Sequence, residues 1–247
     1  MIETSIIIRT KNEERWIGKV LEILSSQTYQ DFEVIIVDSG SKDRTLEIAK
    51  KFPKVRVLKI LSKDFSYPYA LNFGIKNSKA TKYICCLSGH SVPTTKHWLE
   101  DGIKDFGLDP KVMGVYGTWK ALPDATVADK SIIYFFEWIY LRHGNPIVHH
   151  NKSRGGILQN TNSLFKKSFW DKRHFNEEYG HGGEDQEWAE YWINKGYKIV
   201  MEKKFSVHHS HYLSFPGWVK QYKEWKKVLN PAPFKPLAFR KSPTHSE

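Results

Sequence analysis

Short apolar runs alternate with amphipathic stretches through the first part of the chain. Ser5-Ile6-Ile7-Ile8 suits a buried strand, and Ile17, Val20, Leu21 and Leu24 recur behind it at helical spacing, with Asn12 placed to cap that helix. Phe32 to Val37 predicts a second strand, closed by the polar turn Asp38-Ser39-Gly40-Ser41 and followed by a helix from about Asp43 to Phe52, for which Asp43 is the expected cap. Val55 to Ile60 predicts a third strand, Tyr69 to Asn77 a helix, and Tyr83 to Leu87 a fourth strand. This alternation predicts the α/β class, with a mostly parallel central sheet flanked by helices. Each strand runs into a polar loop at the sheet's carboxyl edge, where open sheets of this kind bind ligands.

From about residue 94 the pattern changes. Aromatic residues become dense, histidines cluster, and the alternation weakens. Thr126 to Arg142 predicts an aromatic helix, and Glu184 to Asn194 a shorter one with Trp188 and Trp192 on one side. Trp218 to Val228 predicts a basic helix with Trp218, Tyr222 and Trp225 near one face. Beyond it, residues 230–247 form a proline-rich tail with Pro231, Pro233 and Pro236.

The 247 residues suffice for one sizeable domain, and 40% hydrophobic content supports a packed core. No apolar stretch reaches the ~20 residues of a membrane span; Ile132 to Leu141 is short and broken by Glu137. The chain runs from Met1-Ile2-Glu3 straight into the first strand, without the pattern of a secretory leader. Its two cysteines, Cys85 and Cys86, are neighbours on a predicted strand and so point to opposite faces as thiols, which fits a cytoplasmic location. The net charge of +11 favours anionic partners. No nucleic-acid-binding signature accompanies it, so nucleic acid is not an expected partner. The basic aromatic helix can lie on an anionic membrane surface, at the inner face of the cell membrane, or pack its aromatics onto the domain.

Candidate chemistry comes from ordered motifs. Ser5-Ile6-Ile7-Ile8-Arg9-Thr10-Lys11-Asn12-Glu13, followed by Val37-Asp38-Ser39-Gly40-Ser41-Lys42-Asp43, resembles the opening of family-two glycosyltransferases of the GT-A fold. Phe65 to Gly74, Val115-Tyr116-Gly117, Gln159 to Ser163, Gly183-Glu184-Asp185-Gln186-Glu187 and Val207-His208-His209-Ser210-His211 extend the likeness in order, nearest the bacterial rhamnosyltransferase-like branch. The resemblance implies one domain, 1–229, with a nucleotide-binding half (1–93) and an acceptor-binding half (94–229). It implies an inverting transfer of a sugar from a nucleotide-sugar donor to a glycan or lipid-linked glycan, in bacterial surface-polysaccharide synthesis. By position it assigns Thr10, Lys11, Asn12, Glu13, Asp38, Ser66, Ala70, Asn72, Ser88 and His90 to the nucleotide. Trp119, Arg154, Asn160 and Asn162 go to donor sugar and acceptor. Asp185 is the implied catalytic base, with Glu184 beside it; adjacent carboxylates in unlike environments can divide such roles.

One departure stands out. The family usually carries an Asp-x-Asp motif after the fourth strand to hold Mg²⁺ or Mn²⁺ against the diphosphate, whereas this chain has Ser88-Gly89-His90. Hard Mg²⁺ prefers oxygen ligands, while histidine suits transition metals. A Mn²⁺-like ion held by His90 with His209 or His211, a weakly held ion, and no ion at all remain open. Without metal, the diphosphate would be met by Arg9, Lys11, Arg154 or protonated His90. Two other classes fit more loosely. A sugar nucleotidyltransferase would want glycine in the first loop, which has none; a non-catalytic nucleotide- or carbohydrate-binding protein would explain the missing carboxylates.

Overall fold

Runs of β-branched and aliphatic residues become strands where they can be buried on both faces. The computed structural model describes residues 1–142, 144–149, 158–180 and 182–228, without the side chains of residues 140, 141 and 226–228. Its elements are β1 (Thr4–Thr10), α1 (Ile17–Ser25), β2 (Phe32–Asp38), α2 (Thr45–Ala49), β3 (Val55–Lys59), α3 (Tyr67–Lys76), β4 (Tyr83–Ser88), β5 (Val92–Pro93), α4 (Trp98–Lys104), β6 (Val112–Lys120), α5 (Val127–Leu141), β7 (Ile147–His149), β8 (Asn162–Lys166), α6 (Lys167–Lys172), α7 (Glu184–Ile193), β9 (Lys198–His208) and α8 (Phe215–Val228). The proline-rich tail lies outside the described residues.

One continuous sheet runs in the order β3-β2-β1-β4-β8-β6-β9-β5, with β7 also on β9. The expected parallel arrangement holds from β3 to β4. Beyond that the sheet is mixed, because β8 enters antiparallel between β4 and β6, and β5 and β7 run antiparallel to β9. Helices cover both faces. Ile6, Ile8, Cys85 and Leu87 pack with Val20, Leu21, Leu24, Trp98 and Leu99 on one side. Ile7, Val37 and Cys86 pack with Ala70, Leu71, Trp188 and Trp192 on the other. The neighbouring cysteines therefore do lie on opposite faces, both buried and free.

A third, smaller cluster joins α5 to α8 through Ala128, Ile133 and Trp218, with Trp225 packed against it. Its polar hub is Asp129, fully buried, whose carboxylate accepts from the Tyr212 and Leu213 backbone N–H groups and from Trp218 Nε1 (2.6 Å). Trp218 and Trp225 thus face the domain, so the aromatic face read from the sequence as a membrane candidate is largely an internal one.

Candidate active site

The carboxyl ends of β1, β2 and β4 lie side by side, with Arg9 opposite both Val37 and Ser88, and Thr10 opposite Asp38. The loops that follow β1 and β2 are stapled together. Asn12 Oδ1 accepts from Lys42 N (2.8 Å), the Asn12 N–H donates to Ser41 Oγ (2.9 Å), and Glu13 N donates to Thr45 Oγ1 (2.7 Å). Asn12 sits at positive φ (56°) and does not cap α1, whose N-cap is Trp16. Asp43, expected to cap α2, precedes the N-cap, which is Arg44, and accepts from Thr45 N in an Asx turn that leads into the helix. Asp38 is 1% exposed and accepts from Gly40 N, Ser41 N, Ser41 Oγ and Thr10 Oγ1. Its carboxylate, expected to meet base or ribose, holds the turn that shapes this cradle. Lys11 stands exposed on the first loop.

Several expected contacts are interior. Ala70 is wholly buried in the core. Asn72 donates to Phe175 O and Glu177 Oε1 and accepts from Trp170 Nε1 and Phe175 N, so its amide ties α3 to the 170–177 segment. Ser66 is the N-cap of α3, accepting from Tyr69 N. Asn162, fully buried, donates to Phe205 O (2.6 Å). These four were expected beside donor or acceptor; within the structure they do helix-capping, packing and strand-linking work. Arg154 lies outside the described residues.

The carboxylate pair begins α7, after Gly183 in a left-handed conformation. Asn160 clamps both: its N–H donates to Asp185 Oδ2 (3.0 Å) and its Nδ2 to Glu184 Oε1 (3.3 Å), while its Oδ1 accepts from Ser163. Glu184 is 2% exposed and its Oε2 has no partner among the described residues; Asp185 is half-buried and also accepts from Gln186 N. Burial pushes both carboxyls upward, Glu184 to about 7 with help from the Asp185 charge, while the positive charge of Arg9 pulls each back down. Two adjacent carboxylates thus have unlike surroundings, one closed in and one partly exposed.

A histidine-rich cluster lies where the loop after β4 meets the end of β9. His90 Nδ1 bonds Glu13 Oε1 (2.9 Å), and its ring stacks on His209 with centroids 4.6 Å apart and 16° between planes. His209 bonds Ser91 Oγ through Nδ1, leaving Nε2 buried without a partner among the described residues. Burial, then the charges of His90 and His211, hold His209 well below the ordinary histidine range; burial likewise lowers His211 to about 4. Trp119 packs against both rings. Gly89 fits tightly between these groups, since a Cβ there would press on Glu13, Thr10 and the Arg9 carbonyl.

These residues do not fit a divalent metal ion. Among the described residues no group of three or more His, Cys, Asp or Glu is arranged to hold one. In-plane lone pairs of the nearly parallel His90 and His209 rings lie in separate planes, so they do not converge on one ion. His90 with His209 or His211, one of the open readings for a metal, is part of an aromatic cluster continuous with Trp119.

Two features escaped the motif reading: the Glu13–His90 pair, and Tyr67, whose ring lies under the Arg9 guanidinium at 4.5 Å. Strand periodicity was the available signal for Arg9, since it puts Arg9 on the same face as Ile7, the face that α7 covers.

Comparison with known proteins matches residues 5–171 to the model of "Glycosyl transferase family 2". The match ends before the carboxylate pair. The O-antigen chain rhamnosyltransferase RfbN of Salmonella typhimurium is 24% identical over 219 residues, covering 85% of this chain and 67% of that one. A dolichyl N-acetyl-alpha-D-glucosaminyl phosphate 3-beta-D-2,3-diacetamido-2,3-dideoxy-beta-D-glucuronosyltransferase of Methanococcus voltae is 34% identical over 46% of this chain and 38% of its own. The chain therefore spans between about a third and two-thirds of the length of these relatives. Among solved structures, the mannosyltransferase PcManGT of Pyrobaculum calidifontis, in complex with GDP-Man and Mn²⁺, superposes with a TM-score of 0.66 at 17% identity, over 95% of this chain and 66% of that one. S. aureus TarS 1-349 gives 0.63 at 17% identity, over 94% and 67%. These two likenesses bear on the fold.

Proposed function

The chain belongs to glycosyl transferase family 2, and from that premise we propose that it moves a sugar from a nucleotide-sugar donor to a glycan or lipid-linked glycan acceptor in surface-polysaccharide synthesis, by an inverting displacement. The observation that carries the proposal is the Glu184–Asp185 pair, clamped by Asn160 at the carboxyl edge of the sheet and facing Arg9. Asp185 accepts the acceptor hydroxyl proton as that oxygen attacks the anomeric carbon, and the nucleoside diphosphate departs. Glu184, closed in, holds Asn160 and the start of α7. The cradle made by residues 10–13 and 38–45 takes the nucleotide, and Trp119 lines the sugar side. Family membership weighs against a sugar nucleotidyltransferase, and the paired carboxylates weigh against a purely binding role.

No step here needs a metal ion. A thermal-shift screen of nucleotide sugars, run in EDTA and again with Mn²⁺, identifies the donor by its stabilisation and should show it in both buffers. His90→Ala should weaken donor use by about ten-fold, the worth of one hydrogen bond to a charged group. Stabilisation by no nucleotide sugar in either buffer would remove the donor reading. Loss in EDTA with rescue by Mn²⁺ would return a metal to the site.

An anionic membrane surface is the proposed docking partner, through a different face from the one the sequence suggested. Val127, Tyr134, Phe135 and Trp138 lie on one stripe of α5 at helical spacing and are 76%, 70%, 55% and 41% exposed. Arg142 lies over Trp138 at 3.6 Å, and Lys130 is exposed on the same helix. Phe215, Val219 and Tyr222 extend the apolar exposure onto α8, beside the exposed Lys220 and Lys223. Aromatics flanked by cations suit the headgroup boundary of an anionic bilayer. In vesicle co-sedimentation, Phe135→Ser with Trp138→Ser should reduce binding to phosphatidylglycerol vesicles by about ten-fold or more. Equal binding of the wild type to neutral phosphatidylcholine vesicles would count against the electrostatic part, and unchanged binding of the double variant against the surface itself.

A further inference from the structure

Arg9 is an unusual residue to find at the end of a buried strand. Its Nε and Nη1 are buried and without hydrogen-bond partners among the described residues. Burying a cationic donor without a partner is costly, so an orphaned guanidinium in a native fold calls for a ligand. Tyr67 supports the guanidinium face at 4.5 Å, and among the described residues no group occupies the Nε–Nη1 edge, which can meet a planar or tetrahedral anion. The Tyr67 backbone is itself held, donating to Gly180 O (2.8 Å) just before the loop that leads into α7. Glu184 and Asp185 are near enough to feel the Arg9 charge, yet no ion pair joins them to it among the described residues. The cation therefore stands beside the carboxylates without being used up by them.

We propose that Arg9 binds the diphosphate of the donor through its guanidinium edge and takes the place in this chain that a divalent ion would otherwise fill. The inference deepens the transferase reading and rests on it for the identity of the anion. A guanidinium presents paired N–H donors that match phosphate oxygens two at a time, without the carboxylate cage a metal ion requires. That agrees with the donor set found here, in which Ser88 and a stacked His90 stand where metal-binding carboxylates were expected. In the transfer, the bond between the anomeric carbon and the diphosphate oxygen breaks and its electron pair stays on that oxygen. The acceptor oxygen forms the new bond to the anomeric carbon and gives its proton to Asp185. Arg9 meets the negative charge that grows on the departing diphosphate, the position at which a fixed cation in a partly dry site has the largest effect on rate.

Inorganic pyrophosphate tests the site independently of the unknown base and sugar. By calorimetry in excess EDTA, the wild type should bind pyrophosphate, and Arg9→Gln should bind it about 10- to 100-fold more weakly. Arg9→Lys keeps the charge but loses the paired donors and should fall between the two; it also serves if the glutamine variant does not fold. Wild-type binding that appears only with Mn²⁺, or a lysine or glutamine variant that binds as the wild type does, overturns the proposal. Turnover of the donor found by the thermal-shift screen separates the two levels of inference. Undiminished transfer by Arg9→Gln would remove Arg9 and leave the transferase standing. Arg9-dependent pyrophosphate binding in a chain that turns over no nucleotide sugar would do the reverse.

Discussion

Asp185→Asn is expected to lower sugar transfer by about 100-fold or more while leaving nucleotide affinity within about two-fold. The substitution preserves size, and its remaining carbonyl oxygen still accepts from the Asn160 N–H, so the clamp on residue 160 survives. What disappears is the site that takes the acceptor proton. Burial raises the Asp185 carboxyl above its ordinary value of 3.8, making it a stronger base than a solvated aspartate. The sign follows directly: a base works deprotonated, so activity should fall as pH drops through this raised titration, earlier than for an exposed aspartate. Steady-state rates and a pH–rate profile check both points. Near-normal turnover in the variant, with unchanged fold by circular dichroism, would reassign the base.

The second large effect concerns folding. Gly117→Ala should destabilise the protein by about 3 kcal/mol or more, beyond the usual range for an overpacked core because the obstacle is backbone. A Cβ at 117 would overlap the Phe205 carbonyl oxygen and strike Asn162 Nδ2. The pairing of β6 with β9 shifts register between Gly117 and Trp119, which is the strand's way of passing this crowded point. Neither Phe205, stacked on Trp98 in the core, nor the Asn162–Phe205 hydrogen bond has room to retreat. Scanning calorimetry should show a fall in Tm of about 6–12 °C, or no soluble protein. A shift under about 2 °C would mean the bulge relaxes freely.

The first half of the fold was readable because its strands are apolar on both faces and its helices keep strict spacing. Ile6 to Ile8 and Ile17, Val20, Leu21 and Leu24 lie where period alone puts them, all at 0–1% exposure. The second half hid its strands because their buried positions include polar residues. Asn162 and Ser163 are fully buried in β8, where the Asn162 Nδ2 donates to Phe205 O and the Ser163 hydroxyl to Asn160 Oδ1, partners that no local pattern reveals. The same blindness affected the site. Motif position put Ala70 and Asn72 beside the donor, but only tertiary contacts show that Asn72 is saturated by Trp170, Phe175 and Glu177. Motif position did bring Glu184, Asp185 and Asn160 together, because a helix start and a strand entry converge at one sheet edge.

The strand order also governs how the chain must be made. β3, β2, β1 and β4 can assemble as soon as residues 1–88 have left the ribosome, since their partners are all local. The other edge of β4, carrying Ile84, Cys85, Cys86 and Leu87, waits for β8 at Asn162–Lys166. Throughout that interval the nascent chain displays an apolar strand with unpaired backbone groups on one edge, a template on which a second chain can add. Truncation or translational pausing ahead of Lys166 should therefore raise the aggregated fraction relative to the 247-residue chain, as sedimentation of the two products would show.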